Sequence, residues 1–149
     1  MCGIFGFISQ NGNKLNDLVA ACNIIRHRGP DDEGYVVFKD LKDKGTCFWG
    51  DDTPDDVIQS DYKYKPTSYI RDFVNDTASI ALGHRRLSIL DLSPAGHQPM
   101  SFFNNRYWIV LNGEIYNYLE IREELAAKGY DFISNTDTEV VLAAYHAWG

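Results

Sequence analysis

Met1-Cys2-Gly3-Ile4-Phe5-Gly6-Phe7-Ile8 opens the chain, and both the fold and the chemistry hinge on it. Residues 4–8 form a short apolar run, the pattern of a buried first strand. If the initiator methionine is removed, Cys2 becomes the first residue and carries a thiol and a free α-amine on one Cα. An α-amine with its ordinary pKa of about 8 can take the thiol proton. N-terminal threonine nucleophiles work in the same way. A cysteine beside a strand serves equally well as a small buried apolar side chain, so the choice between the two readings rests on the rest of the chain.

Outward from this strand, Gly12 among asparagines marks a turn. Leu18, Val19, Cys22 and Ile25 recur at helical spacing and give a helix from Leu15 one apolar face, with Cys22 as packing. That helix ends before Arg26-His27-Arg28-Gly29-Pro30-Asp31, where Pro30 restricts its neighbour and Gly29 permits a tight reversal. Gly34 to Phe38 reads as the next strand. Residues 39–78 read as a long, solvated surface excursion, with a short strand at Cys47-Phe48-Trp49, an acidic group at Asp51 to Asp56 and one or two turns of helix. Regular structure resumes at Ile80 to Asp91. Pro94 and Pro99 frame a loop, and Tyr107 to Leu111 forms an apolar strand running into Asn112-Gly113-Glu114. Asn117 with Glu120 has the spacing of a capping box, and that helix ends at Gly129. Asp131-Phe132-Ile133 reads as a brief strand. Thr136 with Glu139 caps a last helix to Gly149. The order of elements predicts an α+β fold with sheets packed against helices, since the regular βαβ alternation of a doubly wound fold is missing.

Over 149 residues the chain is 44% hydrophobic and 23% charged, the balance of a globular domain with a core of its own. The net charge of -7 argues against general nucleic-acid binding or an anionic membrane surface. No apolar run approaches the ~20 residues of a membrane span. Cys2, Cys22 and Cys47 cannot all pair and show no CxxC spacing, which points to a reducing, cytoplasmic compartment. There is no GxGxxG and no GxxxxGK[ST]. His27, His84, His97 and His146 lack zinc-ligand spacing, so no metal is assigned.

Five strings, taken together and in order, resemble the class II glutamine amidotransferase domain, and within that class glutamine-dependent asparagine synthetase. They are Met1-Cys2-Gly3-Ile4-Phe5-Gly6, Arg26-His27-Arg28-Gly29-Pro30-Asp31, Arg86-Leu87-Ser88-Ile89, Asn112-Gly113-Glu114-Ile115-Tyr116-Asn117 and Thr136-Asp137-Thr138-Glu139. The resemblance implies the four-layer αββα sandwich of the N-terminal nucleophile hydrolases. It implies Cys2 as nucleophile with its own α-amine as base, and Arg86 on the α-carboxylate of glutamine. Glu114 and Asp137 would hold the α-ammonium, the Asn112 side chain and the Gly113 N–H would form the oxyanion hole, and the main chain of Leu87, Ser88, Ile89 and Leu90 would line the pocket. His27 and Arg28 would shape the pocket wall without taking part in the chemistry. Such roles suit a zwitterion ending in a neutral amide, which needs a cation, one or two carboxylates and a nucleophile at side-chain distance.

By the same resemblance, residues 1–149 are expected to be part of an amidotransferase domain, C-terminally truncated and interrupted by the insert at about 40–78. A synthetase domain in cis would use ATP and magnesium and receive the ammonia, with no cofactor in this domain. The expected partner is L-glutamine, with a homo-oligomer as a further option and no nucleic acid or membrane. Ammonia would go to aspartate for asparagine synthesis. The alternatives are a sugar acid of surface polysaccharide, or a catalytically silent domain of the same fold. The fragment itself is expected to bind and hydrolyse glutamine poorly.

Overall fold

A computed structural model describes residues 1–149. Strands β1 (Gly3–Lys14), β2 (Asp32–Phe38), β3 (Thr46–Trp49), β4 (Ser68–Tyr69) and β5 (Thr77–Arg86) form one sheet in the order β1-β5-β2-β3-β4. All neighbours are antiparallel except β3 and β4. Strands β6 (Met100–Phe102) and β7 (Tyr107–Ile109) pair as a separate hairpin. The helices are α1 (Leu15–Ile24), the single turn α2 (Asp55–Ile58), α3 (Tyr118–Ala127) and α4 (Asp137–Trp148).

Alternation along β2 and β5 sorts side chains into two layers, because successive residues of a strand point to opposite faces. Tyr35, Val37 and Ala81 face α1, where they pack with Leu15, Leu18, Val19 and Cys22, and β3 adds Phe48 to the same core. Burying each such Leu or Val contributes about 1.5–3 kcal/mol. Asp32, Gly34 and Phe38 face the hairpin side: Asp32 meets His97, and the Phe38 ring lies edge-on to Trp108. Beyond the hairpin, Leu142 of α4 packs on Met100, and Val140 and Ala143 pack with Leu125 of α3. The layers run helix, sheet, sheet, helix, which is the expected αββα order.

Five local expectations are corrected. Strand β1 extends to Lys14, and Gly12 (φ 75°) lies at a register shift within it, so it forms a bulge and not a turn. As the edge strand of its sheet, β1 also leaves Ile4 and Ile8 exposed where a buried strand was expected. The segment around residues 40–78 is no solvated excursion: it adds β3 and β4 to the sheet, and it buries Phe48, Tyr64 and Ile70. Residues 131–133 make no strand. Instead, the Glu139 carboxylate accepts the N–H groups of Ile133 and Ser134, a local satisfaction that replaces a ladder. The expected cap of α4 is present, with the Thr136 hydroxyl accepting from the Glu139 N–H, whereas Asn117 precedes α3 without a side-chain cap.

Candidate active site

Between the start of β1, the end of β5 and the start of α4 lies a cavity of about 330 Å³. Its size falls at the small end of the range for small-molecule sites. Nine of the ten predicted site residues line it: Cys2, Arg86, Leu87, Ile89, Leu90, Asn112, Gly113, Glu114 and Asp137. Ser88 does not. Its N–H donates to Asp31 Oδ2 (2.8 Å), and it borders a smaller hollow on the other side of Arg86.

Cys2 immediately precedes β1, half-buried, with its Sγ accepting from the Leu87 N–H at 3.4 Å. The Arg28 Nε donates to the Cys2 carbonyl at 3.0 Å. Cys2 is thus held from both sides, its sulfur by the residue after β5 and its carbonyl by the 3-10 turn Arg26–Arg28 that follows α1. With Met1 attached, the Cys2 nitrogen is a peptide N–H, and Met1 itself stands at the cavity wall.

Arg85 and Arg86 point to opposite faces of β5. Arg85 goes to the α1 side, fully buried, where it meets Glu33 and Asp52. Arg86 enters the cavity side, and its Nη2 donates to the carbonyls of Leu90 (3.1 Å) and Asp91. The guanidinium lies against Gly96, where an added Cβ would fall 2.0 Å from Nη2, so only glycine fits there. Asp91 anchors this wall. Burial works against its charge, but hydrogen bonds from the Asn135 N–H and from Ser93 hold its carboxyl below the usual range.

Asp137, the first residue of α4, is buried, and its Oδ2 accepts from the Ile115 N–H at 2.9 Å. Glu114 and Asn112 are exposed to the cavity. One guanidinium and two carboxylates therefore face the same space as the thiol.

Two positioning groups gave no recognisable signal in the sequence. Gln98 accepts from the Leu111 N–H (2.7 Å) and donates to Thr138 Oγ1 (3.3 Å). His84 Nε2 donates to the Leu111 carbonyl (3.2 Å), and burial pushes its pKa down to about 4. The peptide just before Asn112 and Gly113 is thereby gripped on both sides. A glutamine in a loop and a histidine in a strand carry no periodicity that would have marked them.

The layered αββα body has the fold of the N-terminal nucleophile hydrolases. The chain belongs to the glutamine amidotransferase domain family, which it matches over residues 1–43 and 71–149. It is 36% identical over 150 residues to glutamine-hydrolyzing asparagine synthetase 1 of Bacillus subtilis, covering 97% of this chain and 17% of that protein. It is 34% identical over 164 residues to a putative asparagine synthetase of Methanocaldococcus jannaschii, covering 100% of this chain and 24% of that protein. Amidase chyE of Penicillium rubens is 27% identical over 162 residues, covering 100% of this chain and 18% of that protein. The chain thus spans 17% to 24% of the length of these relatives. No helix is long and apolar enough to cross a membrane.

Proposed function

We propose that this domain hydrolyses the side-chain amide of L-glutamine through a thioester on Cys2. The observation that carries the reading is the meeting of one thiol, one guanidinium and two carboxylates in a cavity of about 330 Å³. Removal of Met1 would free the Cys2 α-amine beside its own thiol. The amine takes the thiol proton, and the thiolate sulfur attacks the amide carbon. The oxygen gains negative charge opposite the Asn112 side chain and the Gly113 N–H, donors that can each contribute on the order of 3 kcal/mol. The amine returns its proton to the leaving nitrogen, and ammonia departs. Water then adds to the thioester, giving glutamate and restoring the thiol. Arg86 would pair with the α-carboxylate through its planar fork, while Glu114 and Asp137 take the α-ammonium.

Residues 1–149 would form the amidotransferase part of a longer protein that passes ammonia to an ATP-dependent synthetase domain, with aspartate as acceptor. Two asparagine synthetases among the relatives support that choice. ATP and magnesium would belong to the synthetase domain, outside these residues.

Ammonia release from glutamine tests the first step. Cys2→Ala should abolish it with the circular dichroism unchanged, because only a small nucleophilic side chain is lost. Full activity in that variant ends the thioester reading. Intact mass should show the loss of one methionine in active protein. For the acceptor, the full-length protein with ATP is offered aspartate and sugar acids, and amidation of a sugar acid alone would replace aspartate.

A further inference from the structure

The segment 44–70 lies outside the matched family region, yet one of its side chains bonds to both of the segments that support Cys2. Asp52 uses its two carboxylate oxygens on two different arginines. Oδ2 accepts from Arg85 Nη2 at 2.6 Å, and Oδ1 accepts from Arg26 Nη2. Its backbone N–H donates to Glu33 Oε2 at 3.0 Å. The turn that presents it is fastened in place. The Thr53 hydroxyl donates to the Glu33 carbonyl and accepts from the Gly50 N–H (2.8 Å), and a Cβ at Gly50 would fall 2.2 Å from the Glu33 carboxyl carbon.

Arg85 depends on this contact. It is fully buried, its Nε has no partner, and its Nη1 stands 2.7 Å from Glu33 Oε2 but off the hydrogen-bond line. The bond to Asp52 is the one well-aligned hydrogen bond its side chain makes. Arg85 pairs in register with Gly3, beside Cys2, and lies two residues before Leu87, whose N–H reaches the sulfur. Arg26 opens the 3-10 turn whose third residue, Arg28, holds the Cys2 carbonyl. Asp52 therefore ties together the two segments that touch Cys2, from the side of the sheet remote from the cavity.

We propose that Asp52 is a positioning residue for the Cys2 nucleophile, so that the 44–70 segment is part of the catalytic apparatus. The proposal rests on the glutaminase reading above. Asp52 sets the Arg28 contact to the Cys2 carbonyl and the Leu87 contact to its sulfur, and together these fix the nucleophile. Arg86 is held independently by the carbonyls of Leu90 and Asp91 and by close packing on Gly96. Loss of Asp52 should consequently act on kcat and spare KM.

The test is a double-mutant cycle on glutamine hydrolysis by the intact protein, with hydrogen exchange measured in parallel. Asp52→Asn should lower kcat on the order of tenfold, the scale of a sub-ångström misplacement, with KM within about twofold. In an Arg28→Gln background the same change should cost less than it does in wild type, because the Arg28 arm is already gone and only the Leu87 arm is left to lose. Arg26→Gln removes one arm from an exposed residue without unpairing a buried charge, and should give a smaller kcat loss. It carries the test if Asp52→Asn does not fold. Asp51→Asn, which breaks a neighbouring pair with Arg71 that does not reach the site, should leave kcat unchanged. Exchange should rise in peptides spanning 26–31 and 85–90 and stay constant in α4. Additive losses in the cycle, an unchanged kcat, or faster exchange throughout the molecule would each overturn the proposal. A wild-type protein that releases no ammonia would overturn the glutaminase reading instead, while the exchange pattern still reports whether Asp52 ties the two segments.

Discussion

Cys2, Cys22 and Cys47 place the same thiol in three settings. Burial pushes the Cys22 thiol up to about 12, with the nearby Glu33 charge adding to the effect, and burial alone pushes Cys47 up to about 12. Cys2 is half-buried, faces the cavity and accepts an N–H. Iodoacetamide at mildly alkaline pH should therefore label Cys2 alone in the folded protein, since the thiolate is the reactive form. Peptide mass spectrometry reads the result, and labelling of Cys22 at a comparable rate would mean that the core beneath α1 is open. The two arginines divide in the same manner, by the face they occupy. Arg86→Lys keeps the charge but loses the planar fork, so KM for glutamine should rise about tenfold or more with a smaller change in kcat. An unchanged KM would remove Arg86 from the site. Arg85 could not then replace it, because its side chain is on the opposite face of β5.

At the scale of elements, the stretch from β3 to β5 carries more of the structure than its polar composition suggests. Ile70 is buried in the core under α1, and the Tyr64 hydroxyl donates to the Ala95 carbonyl (2.7 Å), bracing the turn that holds Gly96 against Arg86. Ile70→Ala should cost about 2–5 kcal/mol of unfolding free energy, the range for truncating a buried isoleucine. Chemical denaturation measures it, and a loss under about 1 kcal/mol would return this stretch to the status of a surface loop. The helices carry their own punctuation: the Thr136 cap starts α4 and so places Asp137 beside Ile115, with its carboxylate turned into the cavity wall.

For the whole molecule, stability on the acid side depends on His84. Burial disfavours its charged form, so the folded state holds a proton only below about pH 4, whereas the unfolded chain binds one below about 6.5. Between these values the unfolded state carries more protons, so stability rises with pH and falls as the pH drops from about 6.5 to about 4. The full difference amounts to about 3 kcal/mol. Asp51, which its hydrogen bond to Arg71 holds at about 2, loses its contribution only at lower pH, as the pH falls through that value. The melting temperature of wild type should therefore drop across the His84 window more than that of His84→Gln, which keeps an amide donor toward Leu111 but does not titrate. Parallel curves for the two proteins would assign the acid sensitivity elsewhere.

Much of this protein was determined by local sequence. The apolar face of α1, the stop at Arg26, the strand from Gly34 to Phe38 and the cap at Thr136 all follow from periodicity, glycine, proline and side-chain capping, which act within a few residues. The five strings that marked the family are likewise short and contiguous. Tertiary structure decided what depends on partners far along the chain. Strand alternation separates Arg85 from Arg86, but only the position of α1 on one face and the hairpin on the other says which of them meets the cavity. Exposure of β1 follows from its place at the sheet edge, which no apolar run encodes. Glu139 satisfies the backbone at residues 133 and 134 where a strand was expected, and Gln98 and His84 grip Leu111 across 13 and 27 residues. The acidic turn around Asp52 read as solvated because charged residues usually are. It is folded against the sheet because a buried arginine needed a carboxylate that its own strand could not supply.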